Sequence, residues 1–190
     1  KFGDTYYLYG TTDLDYGLER AGTPVVWKSK DFVNWSFEGS HISGFDWSKG
    51  YEYTNDKGEK KKGYFRYWAP GRVIEHDGKF YLYVTFVKPG DKMGTYVLVA
   101  DRPEGPFRFT EGKGLFVSGE EVDSPAIIND IDGEPFIDDD GTGYIFWRRR
   151  NAARLSADRL HLDGEPVTLK TVRQGYSEGP VMFKRKGIYY

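Results

Sequence analysis

The chain has 190 residues, 38% of them hydrophobic, a length that suits one domain and a content that suits a real core. Aromatics reach 17%, with 15 Tyr, 13 Phe and 5 Trp beside 24 Gly and 9 Pro, which favours strands and tight turns over a helical bundle. A net charge of −2 supplies no field for a nucleic-acid backbone or an anionic membrane, Cys is absent, and no run approaches the apolar residues of a membrane helix, so nucleic acid, membrane, thiolate zinc and cysteine nucleophiles are set aside.

The opening Lys1-Phe2-Gly3-Asp4 is neither a Met start nor a basic-apolar leader, so the natural N-terminus is expected upstream. The first predicted strand, Tyr6-Tyr7-Leu8-Tyr9, returns as Phe80-Tyr81-Leu82-Tyr83, as Tyr144-Ile145-Phe146-Trp147 and as Ile188-Tyr189-Tyr190, each after a Gly-containing turn. The gaps between Tyr7, Tyr81, Tyr144 and Tyr190 are 74, 63 and 46 residues, which brackets a four-stranded propeller blade plus insertions. Arg72-Val73-Ile74 before Asp77-Gly78, Pro135-Phe136-Ile137 before Asp140-Gly141, and Val181-Met182-Phe183 before Lys186-Gly187 add a preceding strand to each later copy, giving hairpins. Third strands follow at Val25–Ser29, Tyr96–Ala100 and Ala153–Ser156, and edge-like fourth strands at Trp35–Phe37, Phe107–Phe109 and Val167–Leu169. The segment from His41 to Tyr67, with the basic run Lys57 to Lys62, lacks a strand period and reads as an insertion loop without function. Three sets of short antiparallel strands predict an all-β chain of consecutive propeller blades, with a meandering sandwich as the alternative.

In a propeller the innermost strand of each blade starts beside the central axis, so residues at that position converge from distant places in the chain. Pro70, Pro135 and Pro180 lie 11, 9 and 10 residues before the aligned tyrosines, and the residues before them are Trp68-Ala69, Asp132-Gly133-Glu134 and Ser177-Glu178-Gly179. One blade thus offers an aromatic platform and the next two offer carboxylates at matching inward positions. Two carboxylates beside a Trp meet the needs of glycosidic cleavage, in which an acid protonates the leaving oxygen and a carboxylate activates water or attacks, without metal or cofactor. Acids that cap turns are the plain alternative for either position alone, and agreement of the repeat register favours a site.

Gly3-Asp4-Thr5-Tyr6-Tyr7-Leu8-Tyr9-Gly10-Thr11, Tyr67-Trp68-Ala69-Pro70, Ile131-Asp132 leading to Phe136-Ile137-Asp138-Asp139-Asp140-Gly141, and Ser177-Glu178-Gly179-Pro180 stand in this order. In that order they resemble glycoside hydrolase family 43 over essentially the whole chain. The resemblance implies a five-bladed propeller, of which residues 1–190 would supply about three blades and the start of a fourth of the catalytic domain. It implies an inverting enzyme acting on arabinofuranosyl or xylosyl linkages of plant-type polysaccharides or oligosaccharides. Glu178 matches the general acid and Asp132 the residue that orients it and tunes its pKa. The general base would fall upstream of Lys1, so the chain is expected to be a fragment, inactive alone; the compartment stays open, with secreted or periplasmic slightly favoured. Glu178 is expected to carry a raised pKa through partial burial and the charge of Asp132.

Trp68 is the leading candidate to stack on a sugar, with Tyr67, Phe45 and Trp47 as extensions of the platform. Strand alternation after Trp147 would put Arg148 and Arg150 on one face, where Arg148 is a candidate for binding sugar hydroxyls or a uronate. Asp138-Asp139-Asp140-Gly141 resembles half a calcium loop, but a hairpin turn accounts for it without a metal. A fructan-cleaving propeller is disfavoured because its acid lies in a Glu-Cys pair, and a carbohydrate-binding propeller without catalysis remains the alternative of another class.

Overall fold

The computed structural model describes residues 1–12, 22–42, 46–90, 92–110, 125–172 and 175–190. Strands β1 (Tyr6–Gly10), β2 (Val25–Ser29) and β3 (Ser36–Ser40) form an antiparallel sheet in that order. A hairpin of β4 (Gly50–Thr54) and β5 (Lys60–Tyr64) follows. Next come two four-stranded meanders, β6 (Arg66–His76), β7 (Lys79–Lys88), β8 (Lys92–Ala100) and β9 (Arg108–Phe109), then β10 (Glu134–Ile137), β11 (Gly143–Trp147), β12 (Asn151–Arg154) and β13 (Val167–Thr168). The described chain ends on a two-stranded sheet of β14 (Lys184–Arg185) and β15 (Ile188–Tyr189). This is the expected series of three blades and the start of a fourth, the first sheet having three strands.

The hairpins form where their turn residues allow left-handed backbone. Asp77 and Gly78 have φ of 48° and 72°, and Lys186 and Gly187 have 52° and 76°, the paired positive values of a two-residue turn whose twist matches the strands it joins. Asp138 and Gly141 close the β10–β11 turn, with the Gly141 N–H donating to the Asp138 carbonyl at 2.9 Å, so the Asp-Asp-Asp-Gly run is a turn as expected.

The middle meander is covered on both faces. Along β7, Leu82, Val84 and Phe86 enter a core shared with Tyr51, Phe65, Tyr67, Leu98 and Phe107, whereas Tyr83 enters a second core with Ile74, Val97, Ile145, Trp147 and Leu155. The two-residue alternation of the strand divides the side chains between these cores. Two tyrosines from the repeated motif tie neighbouring sheets together. The Tyr9 hydroxyl donates to the Pro103 carbonyl at 2.6 Å, and the Tyr83 hydroxyl donates to the Arg159 carbonyl at 2.7 Å, each time at the turn behind the third strand of the next blade.

The insertion after His41 departs from the loop expected there. Asn55 Oδ1 accepts the N–H groups of Lys57 and Glu59, and the Asn55 N–H donates to the Glu59 carbonyl at 3.0 Å, so one side chain builds the turn that pairs β4 with β5. Trp47, Tyr51 and Phe65 from this insertion enter the first core, and Trp47 stacks on Phe86 with centroids 6.0 Å apart. The exposed face of β5 is lysine, which is why no strand period shows in the sequence.

Tyr83→Phe removes a buried inter-blade hydrogen bond and leaves the Arg159 carbonyl without that donor. Chemical denaturation is expected to show a loss of about 1 kcal/mol, and an unchanged denaturation midpoint would contradict the role given to this tyrosine.

Candidate active site

The inner strands β6 and β10 approach closely enough to exclude side chains between them. A Cβ on Gly71 would stand 2.3 Å from the Gly133 carbonyl oxygen, and a Cβ on Gly133 would stand 2.4 Å from Thr95 Cγ2. Glu134, just beyond, is buried, accepts the Arg72 N–H at 2.9 Å and pairs with the Arg72 guanidinium at 3.2 Å. These contacts fix the start of the third blade against the second.

Asp132 immediately precedes this junction and has a φ of 64°, a left-handed conformation that Asp tolerates better than most side chains. Its N–H donates to Thr85 Oγ1 at 3.1 Å, and Thr85 is the β7 partner of Trp68. The pairing of β6 with β7 shifts register between Trp68 and Pro70, with Ala69 at a φ of 36°. Such a bulge re-aims the side chain beside it, and Trp68 is left half-buried with the Arg66 guanidinium 4.7 Å from its ring centroid.

The carboxylate of Asp132 reaches the segment that leads into the fourth blade. Its Oδ2 accepts the Gly179 N–H at 3.1 Å, directly after Glu178. Burial pushes the Asp132 pKa up, and the charges of Glu178 and Asp130 add to that push, while the Gly179 N–H and the Arg148 guanidinium oppose it. Glu178 itself is exposed rather than partly buried as expected. It lies on irregular backbone ahead of a sheet with only two described strands, and its described hydrogen-bond partner is the Tyr176 hydroxyl.

The arginine triplet does not continue the strand. Arg148–Arg150 is a single 3-10 turn, with Arg149 and Arg150 at φ of 64° and 63°, so the alternation expected of the triplet is replaced by a turn. The Arg148 guanidinium pairs with Asp130 at 2.7 Å, and its charge acts on the Tyr176 hydroxyl. The Arg149 N–H donates to the Ser177 carbonyl at 2.9 Å, and Arg150 Nη1 donates to the Gly175 carbonyl at 2.7 Å.

Of the residues singled out in the sequence, the structure links Asp132, Glu178, Arg148 and Trp68 through these contacts. It withdraws Tyr67, which is fully buried with its hydroxyl 2.7 Å from His41 Nε2 and its ring among Trp47 and Phe86. A ring packed on all sides has no face to offer a sugar. Trp47, 4% exposed, is withdrawn for the same reason, and Phe45 lies outside the described residues. Burial lowers the His41 pKa to about 4, which keeps that imidazole a neutral core group. Tyr176, Asp130 and Thr85 were not singled out, although Asp130 and Tyr176 each stand two residues before a chosen acid.

Propeller blades that bring two carboxylates and an indole to the leading ends of their inner strands, with an arginine in the turn after β11, have the make-up of a carbohydrate-active domain. The model of Glycosyl hydrolases family 43 matches residues 1–190, and the chain belongs to that family. Among curated relatives, a β-D-galactofuranosidase of Aspergillus niger is 29% identical, the match covering 100% of this chain and 52% of the relative. An arabinoxylan arabinofuranohydrolase of Bacillus subtilis is 32% identical, covering 96% and 38%. A solved structure described as a glycoside hydrolase superposes with a TM-score of 0.80 at 38% identity, covering 100% of this chain and 39% of that one. A thermostable family-43 glycoside hydrolase superposes with a TM-score of 0.69 at 25% identity, covering 100% and 59%. The chain therefore spans about half or less of the length of these curated relatives.

Two predictions follow from the geometry. Because the folded pKa of Asp132 is raised, its ionised form costs stability. The cost is absent below the ordinary carboxylate range, where Asp132 is protonated in folded and unfolded states alike, and it grows as pH rises through the folded pKa. Asp132→Asn is expected to melt at a higher temperature than the parent near pH 7, with the gap closing toward about pH 3; a gap independent of pH would contradict this assignment. In the protein as its gene encodes it, Trp68→Ala is expected to raise KM for glycosides several-fold, whereas Tyr67→Phe lowers stability by about 1 kcal/mol and leaves KM unchanged. A KM change in Tyr67→Phe equal to that in Trp68→Ala would restore Tyr67 to the site.

Proposed function

We propose that this chain is part of the catalytic propeller of an inverting glycoside hydrolase, with Glu178 as general acid and Asp132 as the residue that orients and tunes it. The observation that carries this reading is the hydrogen bond from the Gly179 N–H to Asp132 Oδ2. It couples the carboxylate of one blade to the backbone beside the acid of the next. A carboxylic acid donates its proton well only if it stays protonated near the working pH, and a neighbouring carboxylate promotes that state. The charge of Glu178 raises the Asp132 pKa.

Trp68 supplies an apolar face for a sugar ring. Arabinofuranosides and xylosides are the proposed substrates, and the names of the arabinofuranohydrolase and of a Xylanibacter ruminicola relative described as a putative β-xylosidase support that choice. The galactofuranosidase relative makes a β-D-galactofuranoside the next glycoside to test. Inversion requires a base carboxylate about 6.5 to 9.5 Å from the acid to admit water, and we assign that base to no residue of this chain.

The test is hydrolysis of nitrophenyl α-L-arabinofuranoside and nitrophenyl β-D-xyloside by the protein as its gene encodes it, beside its Glu178→Gln variant and residues 1–190 alone. Glu178→Gln is expected to lower kcat by about 10²- to 10⁴-fold, and residues 1–190 alone are expected to turn over neither substrate. Full activity in Glu178→Gln would remove the acid assignment. Sugar binding without turnover in the whole protein would favour a carbohydrate-binding propeller.

A further inference from the structure

The segment that carries Glu178 belongs to no strand, yet it is held from the third blade at three points. Arg149 N–H binds the Ser177 carbonyl, Arg150 binds the Gly175 carbonyl, and Asp132 binds the Gly179 N–H. On this segment the Tyr176 hydroxyl donates to Glu178 Oε1. The Arg148 guanidinium, anchored by Asp130 at 2.7 Å, places its positive charge beside the same Tyr176 hydroxyl.

The direction of these bonds follows from the donor inventory. A guanidinium has donors and no acceptor, so its charge beside Tyr176 favours the oxygen lone pairs on its own side. The single phenolic proton is thereby turned away from Arg148 and toward Glu178. An oxygen that accepts this proton is poorly placed to carry another.

We propose that Tyr176, oriented by Arg148 and Asp130, is a positioning residue that occupies Oε1 of Glu178 and so leaves Oε2 as the oxygen that delivers the proton to the leaving group. The inference rests on the reading of Glu178 as general acid. In the step it serves, the Oε2–H bond breaks as its proton joins the glycosidic oxygen, the bond from that oxygen to the anomeric carbon breaks, and Glu178 is left as a carboxylate. The phenol then donates to a full negative charge, so its hydrogen bond strengthens in the transition state, which is where binding accelerates a reaction.

Tyr176 is on the same segment as Glu178, Asp132 faces it from ahead of β10, and Arg148 and Asp130 act through Tyr176.

Tyr176 is 69% exposed, and Tyr176→Phe keeps its shape, so the variant is expected to fold. The whole protein and this variant are compared on an alkyl α-L-arabinofuranoside, whose leaving group needs a proton, and on the dinitrophenyl glycoside, whose leaving group does not. The expected result is a kcat about 10- to 100-fold lower on the alkyl glycoside and a near-parental kcat on the dinitrophenyl glycoside. Equal losses on both substrates, or no loss on either, overturn the proposal. Arg148→Met is expected to reproduce the leaving-group dependence; a KM raised equally for both substrates would instead make Arg148 a sugar contact and overturn its orienting role. Glu178→Gln in the same assays separates the two levels. If it spares the alkyl glycoside, the acid reading itself fails. If it loses that activity while Tyr176→Phe does not, the role of Tyr176 alone fails.

Discussion

The contact between the inner strands β6 and β10 governs how the site can be built. Gly71 and Gly133 meet with so little space that a Cβ on either would lie within 2.4 Å of a neighbouring atom. Backbone at this spacing cannot slide by a residue without driving a side chain into the gap, so the register of one blade against the next is set here. The cost is conformational freedom, since glycine loses more on folding than any other residue. The return is that Asp132, one residue before Gly133, is delivered to a fixed place at the end of the second blade.

From that place the contacts spread outward with little redundancy. The left-handed turn at Asp132 aims its N–H at Thr85 and its carboxylate at Gly179, so one residue spans three sheets. An unfavourable backbone angle and a half-buried carboxylate are both costly. They persist because Glu134 and Arg72 bind immediately beyond. A left-handed Asp is thus braced by the ion pair of a buried Glu134, the pattern expected where geometry serves chemistry rather than stability.

The repeat was legible because propeller blades reuse one physical solution. The last tyrosine of the motif must find a buried acceptor, and Tyr9 and Tyr83 find it in the turn of the next blade, so the motif marks inter-blade packing as well as strand position. The convergence of Asp132 and Glu178 was legible for the same reason. The β4–β5 hairpin was not, because its order comes from the Asn55 side chain and from aromatics that pack on another sheet. Neither gives a two-residue period. Tyr67 and Trp68 are adjacent and chemically alike, and a one-residue alternation sends the first into the core and leaves the second half-exposed. Motif matching cannot separate them, since only the strand face decides. The arginine triplet misled in the opposite way, for its positive φ values depend on carbonyls of the Gly175–Ser177 segment that are remote in sequence.

Placing the acid on irregular backbone has a physical rationale. A strand fixes its side chains by a ladder that also fixes their direction, perpendicular to the sheet, and an inner strand would point Glu178 along a direction set by blade packing. A segment tied by main-chain bonds to Arg149 and Asp132 can hold the carboxylate at another angle while drawing its rigidity from the third blade. Precision at the acid is then inherited from the junction at Gly71 and Gly133, through Asp132 on one side and the arginine turn on the other. A disturbance in that junction propagates to the acid even where no side chain of the site is changed, because the segment has no ladder of its own to fall back on.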